Sequence, residues 1–334
     1  MPPRSFYNSP RPSDYLAFAH AYFSEESAIA EAFIAQHSLP FISTEREIAA
    51  YLGVSASLVR QILHRKRYHY RVFPMTKADG SERIISTPKT YLKVIQWWIS
   101  DNILSSANVH DSVHGFRMGR SYITNATSHF GCRHILNIDI EKFFPSISAA
   151  MIAGIFEGMG YKDRAVQVLT ELVSLNDEAP TGAPTSPVIG NLVLRAFDTE
   201  MANIAAERGM RYTRYADDLT FSSLDWIPAD FLSLVTEAVE AHGFSLNKKK
   251  TKFMGRGDRM EITGVVINDR PNVTREWRNW ARGYVQRALR NPEGYQSEWQ
   301  TISGIYGTLN AFDRECKLPL TRRAREALAR IKSA

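Results

Sequence analysis

The stretch Thr213-Arg214-Tyr215-Ala216-Asp217-Asp218-Leu219-Thr220-Phe221-Ser222 constrains this chain more than any other. Apolar and aromatic residues flank a short acidic centre, which reads as a β-hairpin with Met210 to Tyr215 and Leu219 to Phe221 as its arms. Side chains alternate along a strand, so the carboxylates of Asp217 and Asp218 are expected to diverge. A divalent-metal site at this turn would use Asp217 directly, with Asp218 at its edge, and would need a further carboxylate from elsewhere. Asp is common in turns, so the pair taken alone reads better as a solvated turn.

The segment from His134 to Ile140 offers that further carboxylate. Leu136, Ile138 and Ile140 can face a core while Asn137 and Asp139 face the other way, leaving Asp139 exposed on a buried scaffold. Alone, Asp139 reads equally as a strand-end residue hydrogen-bonded to a nearby loop. Magnesium takes hard oxygen ligands, usually a few carboxylates completed by water and substrate phosphates. Two such ions, roughly 3.5 to 4 Å apart, can clamp the attacking and leaving oxygens of an in-line phosphoryl transfer. Asp139 with Asp217 fits that habit, and the chemistry it suggests is nucleotidyl transfer.

Further pieces follow in order. Between the two acidic elements lies Thr181-Gly182-Ala183-Pro184-Thr185-Ser186-Pro187, then a helical pattern with Ile189, Leu192, Val193, Ala196 and Phe197 on one face. Gly182 has no side chain to block a substrate, and Pro184 and Pro187 stiffen the turn before the helix. An ordinary helix-entry loop would look the same. After the hairpin come a helix from Pro228 to His242, a C-cap at Gly243, the run Asn247-Lys248-Lys249-Lys250-Thr251, and a strand at Glu261 to Ile267. Lysines in that run could reach a triphosphate.

In this order the motifs resemble those of reverse transcriptases, and within that superfamily those of bacterial retron reverse transcriptases. Asn137 to Pro145 resembles the first palm motif, Gly182 to Pro187 with Asn191 the second, Tyr215 to Asp218 the third and Asn247 to Thr251 the fourth, while Met260 to Asn268 resembles the primer-grip strand-turn-strand. Asn125-Ala126-Thr127-Ser128-His129 resembles the Asn-Ala-x-x-His signature of retron enzymes, and Ile262-Thr263-Gly264 their Val-Thr-Gly signature. Thr181 stands where most reverse transcriptases carry Gln. The similarity covers roughly Ser43 to Ala334.

The resemblance implies an α+β right-hand polymerase with fingers, an antiparallel palm sheet with helices, and a helical thumb. It implies a catalytic triad of Asp139, Asp217 and Asp218, with Ile140 joining them in binding two Mg2+ ions. Phe144 resembles the aromatic gate that crowds the 2′ position of a ribonucleotide. Arg83, and less strongly Lys77, match basic residues of the fingers hairpin that fold over the incoming triphosphate, and Gly182, Ala183, Pro184, Tyr215 and Lys250 complete the nucleotide-binding set. The implied activity is RNA-directed DNA polymerisation, in which dNTP substrates are used to copy a cognate structured non-coding RNA. Priming from a guanosine 2′-hydroxyl of that RNA would yield branched msDNA. As a class retrons act in antiphage defence, and no effector sequence is visible here, so a separate effector protein is expected.

Composition agrees. The chain has 334 residues, 44% hydrophobic and 23% charged, enough for a sizeable core. A net charge of +6 favours a polyanionic partner. Only Cys132 and Cys316 are present, which predicts no disulfide framework and a reducing, cytoplasmic setting, with packing rather than zinc as their role. No run is long and apolar enough to span a membrane.

The expected organisation is a disordered stretch at residues 1–12, fingers and palm over 13–271, and a helical thumb or RNA-binding region over 272–334. Pro2, Pro3, Pro10 and Pro12 oppose helix in the first stretch. Tyr15 to His37 reads as one helix, and Thr44 to Leu63 as two short ones around Gly53 with Ser55 as N-cap. That pair also resembles a helix-turn-helix DNA reader, although a packed helical hairpin is the preferred reading. Tyr70 to Phe73 and Arg83 to Ser86 read as strands joined around Asp79-Gly80. Leu92, Ile95, Ile99 and Ile103 mark a buried helical face beside Trp97 and Trp98. Beyond Asn272, arginines including Arg275, Arg278 and Arg282 interleave with aromatics including Trp280, a pattern suited to RNA contact or to a bundle with a solvated basic face. The competing functional class is a non-catalytic RNA- or DNA-binding scaffold or a helix-turn-helix regulator.

Overall fold

The computed structural model describes residues 11–23, 26–77 and 80–333. In chain order the elements are α1 (Pro12–Tyr22), α2 (Ser27–His37), α3 (Glu45–Leu52), α4 (Ala56–His64), β1 (Tyr70–Thr76), β2 (Glu82–Pro88), α5 (Thr90–Asn102), α6 (Tyr122–Thr127), β3 (His134–Asp139), α7 (Phe143–Ser146), α8 (Ala149–Gly158), α9 (Asp163–Val173), α10 (Ser186–Val193) and α11 (Arg195–Glu207). They continue with β4 (Arg211–Tyr215), β5 (Asp218–Ser223), α12 (Ala229–Ala241), β6 (Lys252–Gly255), β7 (Glu261–Ile262), β8 (Val265–Val266), β9 (Asn272–Val273), α13 (Arg275–Arg290), α14 (Trp299–Phe312) and α15 (Pro319–Ser333). Helices mixed with antiparallel sheets make this an α+β protein, as expected.

The chain divides into two compact units. The first holds the residues up to Phe116, Ile140–Met201 and Leu232–Asn247; the second holds Arg117–Asp139, Ala202–Phe231 and the chain from Lys248 onward.

In the first unit, the two short helices expected around Gly53 are present, and the expected cap at Ser55 is joined by others. Thr44 and Glu47 form a reciprocal capping box, Ser55 caps α4, and Gly53 ends α3 in the left-handed region. Aromatic stacking fixes this layer: Tyr51 lies 4.5 Å from Phe18 and 5.2 Å from Trp98, ring centroid to centroid. Leu92, Ile95, Ile99 and Ile103 are all buried. The single helix expected from Tyr15 to His37 is two. The chain leaves helical geometry at Phe23, whose ring contacts Phe18, Phe41 and Tyr51, so tertiary packing overrides a continuous helical pattern. The expected stretch 1–12 lies outside the described residues up to position 10, and Pro12 opens α1. Asp79 of the expected hairpin turn also lies outside them.

The face expected across Ile189 to Phe197 is interrupted. Helix α10 closes at Leu194 and α11 begins at Arg195, so Ile189, Leu192 and Phe197 are buried while Ala196 is exposed. Gly190 sits in α10 where a Cβ would come 2.9 Å from the Phe143 ring, so this helix approaches α7 closely.

The second unit is built on a four-stranded antiparallel sheet in the order β4-β5-β3-β6. One face carries Leu136, Ile138, Leu219 and Phe221, all fully buried, with Phe231 packed 5.0 Å from Phe221. Residues 261–267 form a hairpin where a single strand was expected. Thr263 and Gly264 have φ of 48° and 81°, and two successive positive φ values define the tight turn that joins β7 to β8. The last three helices pack around Ala281, Val285, Ile302, Ile305, Ala324 and Ile331. No helix among the described residues is long and apolar enough to cross a membrane.

Candidate active site

Antiparallel pairing sets the site. β3 pairs with β5 so that Asp139 stands opposite Asp218, and β4 pairs with β5 so that Tyr215 stands opposite Asp218 as well. Directly opposed residues in such a ladder project to the same face, so Asp139, Asp218 and Tyr215 share one side of the sheet. Ala216 and Asp217 form the two-residue loop between β4 and β5. Ala216 has φ 58° and Asp217 does not follow it into positive φ, the pattern of a type II′ hairpin turn. Alanine in that region is strained, and the turn is braced from below: the buried Arg214 donates from Nη1 to the Ala216 carbonyl at 3.0 Å.

The charges gathered here perturb one another. Burial first, then the charges of Asp217 and Asp139, raise the Asp218 carboxyl from 3.8 to about 7, while Lys250 opposes the rise. Lys250 Nζ lies 2.8 Å from Asp139 Oδ1, and its own pKa is raised, chiefly by that hydrogen bond, with Asp217 and Asp218 contributing. All three carboxylates therefore act on one ammonium, and Asp217 and Asp139 act on Asp218. Asp139 is buried rather than exposed as expected, at 6% accessibility, because β5 and β6 flank its strand and Lys250 closes over its carboxylate.

Among the described residues no group of three or more His, Cys, Asp and Glu side chains forms a ready-made metal cage. The donor set nevertheless fits a hard divalent cation: three carboxylates are electrostatically coupled, one is driven toward protonation by burial and then by the charge of the other two, and a side-chain ammonium is already drawn in. Ile140, the remaining residue of the expected metal set, is buried and bridges backbone to backbone with Leu246 in the first unit.

The remaining nucleotide-binding candidates belong to the first unit. Arg83 is paired with Met75 in the β1–β2 hairpin, and Lys77 borders its turn, accepting from Gly80 N and donating to Ser81 O through its backbone. The loop at Gly182 is pinned to the hairpin by Ser86 N donating to Thr181 O at 2.8 Å, and Gly182 adopts φ +119°. A Cβ there would meet Ile85 Cγ2 at 3.1 Å, which places the loop on the side of β2 that Arg83 shares by alternation. Ala183 is buried beside it. Pro184, the next residue, precedes α10 by one further position. Phe144 is half-buried, with its ring 5.2 Å from Phe143 and 6.3 Å from Phe116, and Asn191 Nδ2 donates to Gly115 O at 3.0 Å, tying α10 to the loop that carries Phe116. Arg275, Trp280 and Arg282 are exposed on α13 and Arg278 is half-buried there.

Sequence reasoning missed Arg214 and Phe116. An arginine at the alternation phase of a buried strand face was the available signal for Arg214. Nothing local marked Phe116, since its neighbour Phe144 lies on another segment.

The reverse transcriptase (RNA-dependent DNA polymerase) family matches residues 75–267. The chain is 33% identical over 316 residues to the Retron Mx65 reverse transcriptase of Myxococcus xanthus, covering 88% of this chain and 74% of that protein. It is 33% identical over 236 residues to the Retron Ec86 reverse transcriptase of Escherichia coli, covering 69% and 73%. The Retron Mx162 reverse transcriptase of Myxococcus xanthus is matched at 33% identity over 73% of this chain and 59% of its own length. The chain belongs to the reverse transcriptase family, in its retron branch. It is thus an RNA-directed DNA polymerase, which sets aside the regulator and the inactive scaffold as readings of the whole chain.

Proposed function

We propose that this enzyme copies a cognate structured non-coding RNA into branched msDNA, with Asp139, Asp217 and Asp218 as its catalytic carboxylates. The observation that carries the reading is Asp139 standing opposite Asp218 on one sheet face, with Asp217 in the adjoining turn and Lys250 feeling the charge of all three. The three carboxylates, with the Ile140 carbonyl, would hold two Mg2+ ions, which supply Lewis-acid activation of the attacking hydroxyl and neutralise the leaving pyrophosphate when bound. The chain's own residues do the positioning. Asp139 and Asp218 fix their oxygens through strand pairing, and the braced turn at Ala216 fixes Asp217. Arg83 and Lys77 engage the triphosphate, Phe144 crowds the sugar 2′ position, and Gly182, Ala183, Pro184 and Tyr215 border the nucleotide. Lys250 leaves Asp139 for a phosphate when the site fills. Arg275, Arg278, Trp280 and Arg282 contact RNA, and a separate effector coupled to msDNA gives an antiphage role in the cytoplasm.

The test is the Asp217→Asn, Asp218→Asn double variant in a primer-extension assay with RNA template and dNTPs. Loss of synthesis with RNA binding retained is expected; synthesis at the parent rate would overturn the site. Sequencing the nucleic acid that copurifies with the protein decides the product: a 2′-branched RNA–DNA species supports msDNA, and unbranched cDNA alone refutes it.

A further inference from the structure

The signature residues Asn125, Ala126 and His129 lie outside the carboxylate cluster, but their polar atoms lead into the strands that carry it. His129 is fully buried, with Nε2 2.7 Å from Thr213 Oγ1 and Nδ1 2.7 Å from Ser222 Oγ. Thr213 Oγ1 donates to Asn125 Oδ1 at 2.7 Å. A hydroxyl has one proton to give, so Thr213, which donates to Asn125, accepts from His129 Nε2–H.

Thr213 and Ser222 sit on the two arms of the hairpin whose loop carries Asp217. Thr213 stands opposite Thr220 and Ser222 opposite Arg211. By alternation from Asp218, Thr220 and Ser222 point to the same face as the carboxylates, and Thr213 joins them across the ladder. One imidazole therefore staples both arms on the catalytic face, three residues before the Ala216–Asp217 loop on one arm and five after it on the other.

The other side of α6 is held as firmly. Ala126 shares a buried cluster with Ile262 and Val265, and Thr263 Oγ1 donates to the Tyr122 carbonyl at 3.0 Å. Thr263 is the turn residue of β7–β8 with positive φ. The two signatures, remote in sequence, form one piece: the β7–β8 turn grips one end of α6, and His129 after its other end grips the hairpin.

We propose that Asn125, His129 and Thr263 are positioning residues for polymerisation, holding the Asp217–Asp218 hairpin in register through Thr213 and Ser222. This rests on the reading of Asp217 and Asp218 as catalytic.

The test is pre-steady-state incorporation of one dNTP on a DNA primer annealed to an RNA template, with Mg2+ present. Burst amplitude counts competent sites and burst rate reports how well each is aligned. Thr213→Val keeps shape and removes the hydroxyl; Thr213→Ser restores it. The expected result is retained amplitude with the rate down about 10-fold or more for Thr213→Val, in line with the sensitivity of catalysis to small misplacements, and a rate near the parent's for Thr213→Ser. A parent-like rate in Thr213→Val, whether amplitude is full or reduced, overturns the proposal. Should Thr213→Val give no folded protein, Ser222→Ala and Thr263→Val decide: a slower burst in both supports it, parent-like rates refute it. Failure of the catalytic reading shows separately, as a burst that survives in the Asp217→Asn, Asp218→Asn variant.

Discussion

Replacing Asp218 with Asn should abolish synthesis and, without divalent ions, make the protein more stable at pH 8. Burial and the charges of Asp217 and Asp139 raise the Asp218 carboxyl from 3.8 to about 7. The folded state therefore holds a proton that the unfolded chain releases near pH 4. Stability from this group is greatest below about pH 4, falls as pH rises from there to about 7, and is level above. At 1.36 kcal/mol per pH unit the ceiling is about 4 kcal/mol, and water reaching the partly exposed side chain lowers the realised value to ~2–3 kcal/mol. Asn has the same shape and no charge, so it escapes this cost. For a chain of this size the gain corresponds to a rise in Tm on the order of 5 °C. Calorimetry in EDTA across pH 4 to 8 should show the variant above the parent at pH 8 and the gap closing as pH falls toward 4. Added Mg2+ should raise the parent's Tm at pH 8 more than the variant's. A variant no more stable than the parent at pH 8, or a gap independent of pH, would refute the electrostatic account of the site.

Lys250→Met removes a cation that lowers the Asp218 pKa, so the pH midpoint of activity should move upward; a midpoint unchanged or lowered would show that the ammonium does not act on the cluster. Phe144→Ala should raise ribonucleotide relative to deoxynucleotide incorporation on one primer, and an unchanged ratio would remove Phe144 from the sugar gate. Gly182→Ala forces a side chain into φ +119° against Ile85 and Ser86, with an expected loss of ~1–3 kcal/mol by thermal melt; an unaltered melt would mean the loop yields freely.

Local signals were legible wherever the physics is local. The hairpin around Asp217, the caps at Ser55 and Gly243, the buried face of α5 and the glycine at 182 depend on residues within a turn or two, and all were readable. The break at Phe23 was not, because the rings that draw Phe23 out of the helix include Phe41 and Tyr51 from other segments. The hairpin at Thr263 was half legible: Gly264 signals a turn, but periodicity over so short a run cannot separate one strand from two.

The sequence by itself determined the kind of site, through ordered acidic, glycine and lysine motifs whose types and spacing carry their chemistry. The tertiary structure decided which carboxylate bears the strain. Strand register set Asp139 opposite Asp218, buried the first and half-buried the second, drew in Lys250 and put Arg214 beneath the turn. It also turned two separate signatures into one brace around α6. Register and burial arise from pairing between segments far apart in the chain, and the field at a carboxylate depends on every charge that folding brings near it, so neither can be read from the residues alongside.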